Sequence, residues 1–415
     1  MKPRVSASDV DRAATLLSGT IRRTPLEPSH RLAALARQPV HLKREDMQVT
    51  RSYKVRGAFN LVSSLDDAER KRGVVCASAG NFAQGIAFAC SQLQVRGRVF
   101  VPSNTPRQKR ERIVALGESW IDLIIGGVTY DDASAAAGED SERTGSVNAH
   151  PFDDARTIAG QGTIAPELAQ QLEGAIDTLV VPVGGGGLIC GIAVWIRERL
   201  PGVRLVGAEP AGAASMRAAL DAGAPVRLDD LDTFVDGAAV GRVGELTYPI
   251  VRDLVDDVVA VPEGAVCSEM IDLYQTEGVI AEPAGALASA AVRLGLVGGS
   301  GPVVSIVSGG NNDVSRYSDI VERSLLFEGL RHYFLVTFSQ EPGALRRFLD
   351  DVLADGEDII AFEYVKKNNR ETGPALVGIE LERASDLGGL LERMDASPLH
   401  AELVSPGTPL FTFLL

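Results

Sequence analysis

The residues best suited to chemistry lie in Ser52-Tyr53-Lys54-Val55-Arg56-Gly57-Ala58, where a lysine stands among a hydroxyl, an aromatic ring and a glycine. The stretch follows Arg44-Glu45-Asp46 and leads into Ala58, Leu61 and Val62 at helical spacing. A lysine entering a helix beside an aromatic side chain is a site where a carbonyl cofactor could form a Schiff base. Desolvation and the neighbouring cations Arg51 and Arg56 are expected to lower its pKa and free the amine as a nucleophile. A lone lysine in a basic loop would read as a solvated surface group. The odds change because three further loops offer what the rest of such a cofactor needs.

The first is Gly184-Gly185-Gly186-Gly187-Leu188, between the apolar run ending at Val183 and an apolar helical pattern. Glycines at a helix N-terminus leave backbone N–H groups bare, so a phosphate can meet them and the positive end of the dipole. Ile189 stands where a dinucleotide fingerprint needs its third glycine, and no Gly-Lys-Ser/Thr follows for a P-loop. A flexible linker would not lie between a core strand and a core helix. The second loop, Ser78-Ala79-Gly80-Asn81, also joins a strand to a helix and offers N–H groups and an amide to a carboxylate or phenolic oxygen, although Ser, Gly and Asn are also ordinary helix caps. The third, Ser308-Gly309-Gly310-Asn311-Asn312, ends the run Val303 to Val307, where a hydroxyl could meet a ring nitrogen or simply cap a helix.

The elements that must position these loops alternate between strand and helix. Val40-His41-Leu42 delivers the Lys54 stretch, preceded by a helix from about Val5, a loop at Thr24-Pro25-Leu26 and a second helix from Ser29. Strands at Val74 to Ala77, Val99 to Val101 and Ile121 to Ile125 alternate with helical patterns, and after Pro151-Phe152-Asp153-Asp154 the alternation resumes at Leu179 to Val183, Leu205 to Ala208, Val258 to Ala260 and Val303 to Val307. Continuous rather than alternating apolar strands predict a parallel sheet covered on both faces. After Ser324 the order changes. Strands at Tyr333 to Phe338, Ile359 to Val365, Ala375 to Leu381 and Leu410 to Leu414, with helices opening at Pro342-Gly343-Ala344-Leu345 and near Leu387, predict a ferredoxin-like β-α-β-β-α-β unit.

Composition sets bounds on partners. The 415 residues are 45% hydrophobic and 23% charged, an ordinary globular balance. A formal charge of −14 argues against nucleic-acid or anionic-membrane partners. The apolar run Thr178 to Ile196 contains Pro182 and the glycine loop, which suit a strand, loop and helix better than a membrane span. Four cysteines far apart read as buried free thiols in a reducing compartment, and the five histidines show no metal-ligand spacing. With no signal-peptide core near Met1, the chain reads as cytoplasmic.

Together, Ser52 to Ala58, Ser78 to Asn81, Pro151 to Asp154, Ile158-Ala159-Gly160-Gln161-Gly162-Thr163, Gly184 to Leu188, Glu282-Pro283-Ala284-Gly285-Ala286 and Ser308 to Asn311 resemble the fold type II pyridoxal-phosphate enzymes. Within them they resemble the threonine ammonia-lyase (threonine dehydratase) family in its short biosynthetic form. The resemblance covers residues 5 to about 325, and implies a tryptophan synthase β-like α/β fold of two parallel-sheet subdomains. The implied catalytic domain is 1–325, with a smaller subdomain at about 47–152, followed by an ACT-like regulatory domain at 332–415.

By the same resemblance Lys54 carries pyridoxal 5'-phosphate and takes the substrate α-proton. Asn81 contacts the 3-hydroxyl, Gly184, Gly185, Gly186, Gly187 and Leu188 hold the phosphate, and Ser308 meets the pyridine nitrogen. Ser78, Ala79, Gly80 and Phe152 face the substrate. Two departures from the common pattern, Phe82 and Tyr53, remove no group the chemistry needs. The implied reaction is the dehydration and deamination of L-threonine to 2-oxobutanoate and ammonia, the first step of isoleucine biosynthesis, with isoleucine or valine as effectors and a homo-oligomer (dimer or tetramer) as the working form. L-serine dehydratase, serine racemase and threonine synthase are rivals of the same fold, and a non-catalytic amino-acid sensor is the rival from another class. The resemblance implies that related racemases have a serine at the place of Ala79 and a carboxylate metal ligand at that of Ser215, so elimination without racemisation and no required divalent ion are expected.

Overall fold

The computed structural model describes residues 5–172, 175–364, 371–405, 408 and 410–411. The chain forms two compact units, Met1–Asp313 and Val314–Leu415.

The first unit holds two sheets. The larger has six strands in the order Leu26–Pro28, Val40–Arg44, Val303–Val307, Thr178–Pro182, Arg204–Pro210, Asp257–Val261. All pairings are parallel except that of Leu26–Pro28, which lies antiparallel on Val40–Arg44. The sequence reading made Leu26 part of a loop, but its backbone closes the sheet edge instead, in a three-residue strand too short to show a pattern. The central strands Thr178–Pro182 and Val303–Val307 are buried at every residue, as a parallel sheet covered by helices requires.

The smaller sheet, also parallel, runs Ile121–Ile125, Gly97–Val101, Val74–Ala77, Val147–Asn148. Here Ile121–Ile125 departs from the expected full burial, because it is an edge strand and leaves Ile125 exposed. Helices Lys54–Ser63 and Asn81–Leu93 pack together over a core of Val55, Ala58, Phe82 and Ile86. Glycine allows this approach: a Cβ on Gly85 would sit 3.1 Å from the Val55 Cα.

The helix that opens with Lys54 is anchored by Arg56, a buried arginine two residues further on. Its guanidinium pairs with Glu45 at 2.8 Å and Glu167 at 2.7 Å, and Lys43, also buried, pairs with Glu167 at 2.7 Å. Burial pushes the Glu45 carboxyl up, but the charge and hydrogen bonds of Arg56 outweigh it and hold the group below its usual range. Arg56 is thus a structural clamp, joining the helix to the large sheet and to helix Ile164–Gln171, with its charge already neutralised. Removing one partner of such a network typically costs about 3–5 kcal/mol.

The second unit carries the antiparallel sheet Glu357–Tyr364, Thr372–Leu381, Arg331–Ser339, His400–Leu403, with helices Ala344–Val352 and Leu387–Ala396 packed through Phe348, Leu390 and Met394 onto Phe334 and Val377. This is the expected ferredoxin-like arrangement, with one shift. The last strand among the described residues is His400–Leu403; of the expected Leu410 to Leu414, Leu410 and Phe411 are helical, and 412–414 lie outside the described residues. His400–Leu403 pairs with Arg331–Ser339 despite a mixed sequence, because backbone pairing along an edge needs no apolar run. No helix among the described residues is long and apolar enough to cross a membrane.

Candidate active site

The loops singled out by sequence gather at the carboxyl ends of the large sheet. Val303–Val307 and Thr178–Pro182 are neighbouring parallel strands, so Ser308 and Gly184 emerge side by side at the same end. The lysine stretch is stitched to the first of them: Ser52 bridges Gly309, the Tyr53 N–H donates to the Ser308 carbonyl at 3.0 Å, and the Gly310 N–H donates to the Arg51 carbonyl at 2.9 Å.

Lys54 is the first residue of its helix and half-buried. Its Nζ lies 5.4 Å from the Tyr53 ring centroid and makes no hydrogen bond or ion pair among the described residues. Next to it the Ser52 hydroxyl is buried without a partner among the described residues. A free amine and an orphaned buried hydroxyl leave unfilled polar capacity at one place, which a bound polar group would satisfy.

Asn81 reaches the cluster from the other subdomain. Its Nδ2 donates to Glu282 Oε1 at 2.6 Å, and its Oδ1 accepts from Asn311 Nδ2 at 2.7 Å. The helix it opens has no side-chain cap, so the N–H groups of its first turn, from Asn81 on, are bare. The Ser78 hydroxyl accepts from the Gly80 N–H, and Ala79 packs against the core of the small subdomain. Ser308 is buried and donates to the Ala284 carbonyl at 3.1 Å, so it would meet a ring nitrogen by turning that one hydrogen toward it.

The glycine loop is built from backbone alone. Gly186 has φ +92°, a conformation only glycine takes without strain, and helix Gly187–Arg199 likewise opens without a side-chain cap. Thr247 Oγ1 donates to the Gly185 carbonyl at 2.7 Å and accepts from the Gly244 N–H at 3.0 Å, holding the loop from behind. The Leu188 side chain is in the core, so this residue offers the loop only its backbone. Phe152 stands against this loop: a Cβ on Gly185 would fall 2.3 Å from its ring, which also stacks edge-on with His150. Two bare helix N-termini, a free amine and an orphaned hydroxyl fit a phosphorylated aromatic aldehyde.

Sequence reasoning passed over several residues here. Glu282 looks like an ordinary helix N-cap before Pro283, yet its side chain caps nothing and turns to Asn81. Burial pushes its carboxyl up to about 7, with Asp236 adding to the rise and Asn81, Lys109 and Lys54 opposing it. A cavity of about 110 Å³ opens beside Asn81 and Glu282, rimmed by Gln84, Lys109, Asp236 and Asn311. Lys109 pairs with Asp236 across it at 2.9 Å, joining helix Arg107–Gly117 to the loop before Thr247. Away from the cluster, both carboxylate oxygens of Glu209 accept backbone N–H groups, from Met216 and Arg217, each at 2.9 Å.

Known proteins carry the same features. The family model for pyridoxal-phosphate dependent enzymes matches residues 17–309, and the model for the C-terminal regulatory domain of threonine dehydratase matches residues 322–414. The biosynthetic L-threonine dehydratase of Mycobacterium tuberculosis is 58% identical over 413 residues, spanning 99% of this chain and 96% of that protein. Its counterpart in Bacillus subtilis is 45% identical over 423 residues, spanning 100% of both chains. Among solved structures, the processed form of threonine deaminase isoform 2 from Solanum lycopersicum is 35% identical with a TM-score of 0.71, covering 78% of this chain and 96% of that one. Maize serine racemase is 32% identical with a TM-score of 0.72, covering 78% of this chain and 99% of that one.

Proposed function

We propose that this chain, which belongs to the pyridoxal-phosphate dependent enzyme family and within it to the biosynthetic L-threonine dehydratases, removes water and then ammonia from L-threonine to give 2-oxobutanoate. The observation that carries the reading is the unpartnered Lys54 amine, in a chain that its relatives match over nearly the whole length. Bound there, pyridoxal 5'-phosphate would supply an electron sink for the charge left on the α-carbon when its proton is removed.

The chain's own residues do the rest. Lys54 anchors the cofactor and takes the α-proton. Gly184, Gly185, Gly186, Gly187 and Leu188 hold the phosphate through backbone N–H groups. Asn81 meets the phenolic oxygen, and Ser308 the ring nitrogen. The bare N–H groups at the start of the Asn81 helix, beside Ser78, Ala79 and Gly80, take the substrate carboxylate, while Phe152 buttresses the phosphate loop. We assign catalysis to residues 1–325, with the smaller subdomain at about 47–152, and regulation to 332–415.

Ala79 supports elimination over the racemase chemistry of the maize neighbour, because a methyl group cannot return a proton to the opposite face of the α-carbon. The occupied oxygens of Glu209 support turnover without a divalent ion. In the second unit, a cavity of about 460 Å³ lies where Ala344 and Arg347 face Thr337, Ser339, Thr372 and His400. Gly343 (φ +89°) opens the helix there without a side-chain cap, leaving N–H groups for a carboxylate. Isoleucine or valine is the effector we assign to it. A cytoplasmic homo-oligomer, dimer or tetramer, completes the reading.

The deciding assay is 2-oxo-acid formation by the full chain from threonine and from serine, with and without millimolar isoleucine or valine. Threonine should be turned over faster than serine, and isoleucine should raise the threonine needed for half-saturation by about 5- to 150-fold, the span of a typical coupling energy. Product from serine alone would move the chain to the serine dehydratases, and coinciding threonine curves would leave the second unit a structural role. D-Serine formation, or loss of activity on chelation, would overturn the readings of Ala79 and Glu209.

A further inference from the structure

Glu282 takes no part in the scheme above, yet it sits at the centre of the cluster. It is 7% exposed, and glycine on two sides makes room for it: a Cβ on Gly309 would lie 2.3 Å from its Oε1, and one on Gly237 3.7 Å away. Among the described residues its one hydrogen bond to another side chain goes to Asn81, whose amide is engaged at both ends, by Glu282 at Nδ2 and by Asn311 at Oδ1. The Asn311 amide is fixed in turn, donating to the Thr50 carbonyl at 2.8 Å and to Gln84 Oε1 at 3.3 Å.

We propose that Glu282 is a positioning residue, which fixes the Asn81 amide so that its second N–H, and not its carbonyl, faces the phenolic oxygen of the cofactor. The inference rests on the reading of Lys54 and Asn81 as the cofactor site. A flipped amide would set Asn81 Oδ1 against a carboxylate oxygen and Asn81 Nδ2 against the Asn311 Nδ2, a clash of like groups at both ends. A buried acceptor or donor left unpaired costs about 1–3 kcal/mol, and more beside a charge, so one amide orientation is strongly favoured. Held this way, the Asn81 N–H would always present a donor to the phenolic oxygen and favour its anion, with the shared proton on the nitrogen joined to Lys54. The groups that bear on the carboxyl are Asp236, Lys109, Lys54 and Asn81, and with burial they bring its titration to about 7, so at alkaline pH it is an acceptor only.

The test uses the full-length protein loaded with pyridoxal 5'-phosphate, without substrate, at one alkaline pH. The readout is the ratio of the long-wavelength to the short-wavelength absorbance band of the bound cofactor, which reports where the shared proton lies. Glu282→Met fills the space without an acceptor, and should lower the ratio by roughly threefold or more, the loss of about one hydrogen bond. Glu282→Asp withdraws the oxygen by one methylene, and should move the ratio the same way by less. It decides the matter if the methionine variant does not fold. Glu282→Gln keeps an acceptor that the locked Asn81 amide can select, and should restore the ratio to about that of wild type. Wild-type ratios in both the Met and Asp variants, or a Gln variant as shifted as Met, would overturn the proposal. Colourless preparations of every form, wild type included, would instead overturn the cofactor reading on which it rests.

Discussion

The two grips of the site differ in kind. Gly184 to Leu188 offers only backbone, contains no titratable group and is continuous in sequence. The opposing cluster of Lys54, Asn81, Glu282 and Ser308 offers side chains, with two ionisable groups among them, drawn from segments more than 250 residues apart. A backbone cradle is specified by local conformation, so its failure is steric. A side-chain cluster is specified by tertiary contacts, so its failures are chemical and respond to pH. Substitutions on the two sides should therefore separate cleanly.

On the cluster side, Lys54→Ala should lower 2-oxo-acid formation by on the order of 10³-fold or more, because anchor and base are lost together. Circular dichroism should be unchanged, since the Lys54 side chain makes no ion pair or hydrogen bond that the fold needs. Retained turnover would show that the two grips do not serve one reaction. On the cradle side, Gly185→Ala should instead reduce cofactor affinity by roughly 10- to 100-fold, measured by titrating the cofactor-free protein. Its Cβ would lie 2.3 Å from the Phe152 ring, and overpacking of this sort costs about 1–3 kcal/mol. Wild-type affinity would mean that the ring moves aside freely and that the cradle is not rigid.

The ionisable character of the cluster should appear in the stability of the cofactor-free protein. Glu282 and Glu209 both titrate near 7 when folded, each raised first by burial, against 4.5 for an ordinary glutamate. A carboxyl with a raised folded pKa stabilises fully below its unfolded value, and that stability is lost as pH rises through the folded one. Thermal unfolding should therefore occur at lower temperature at pH about 8 than at pH about 5, the two carboxyls contributing on the order of 1–3 kcal/mol each. His41, lowered by burial, opposes the trend with a single group. Glu282→Gln should remove the share of the decline due to Glu282, while Gly185→Ala should leave its slope unaltered. A wild-type midpoint that rises from pH 5 to 8 would contradict the prediction.

The same contrast explains what was legible in the sequence. The glycine loop and the strand-helix alternation could be read directly, because each depends on residues within one turn of the chain. Glu282 was visible only as part of a motif, and its partner Asn81 lies 201 positions away. Arg56 was misassigned for the same reason: near Lys54 in sequence it looks like a charge that tunes the amine, and only the fold reveals that Glu45 and Glu167 have claimed it. In the second unit, His400–Leu403 escaped notice because an edge strand draws its order from Arg331–Ser339 rather than from its own composition.

Thr247 marks the limit of the comparison, since its side chain props the backbone cradle through hydrogen bonds. It is buried, follows the cradle by some sixty positions, and bonds the Gly185 carbonyl and the Gly244 N–H with a single hydroxyl. Fixing the Gly185 carbonyl rearward sets the peptide plane that follows, and with it the direction of the Gly186 N–H. Thr247→Val keeps the shape but strands both backbone groups, whereas Thr247→Ser keeps the hydroxyl and loses only a methyl. If the prop acts on the cradle, Val should weaken cofactor binding by about fivefold, near 1 kcal/mol, with Ser close to wild type. The band ratio of the bound cofactor should not change in either variant, because Asn81 and Glu282 are untouched. A spectral shift in Thr247→Val would mean that cradle and cluster are mechanically coupled, and that the division between them is one of sequence alone.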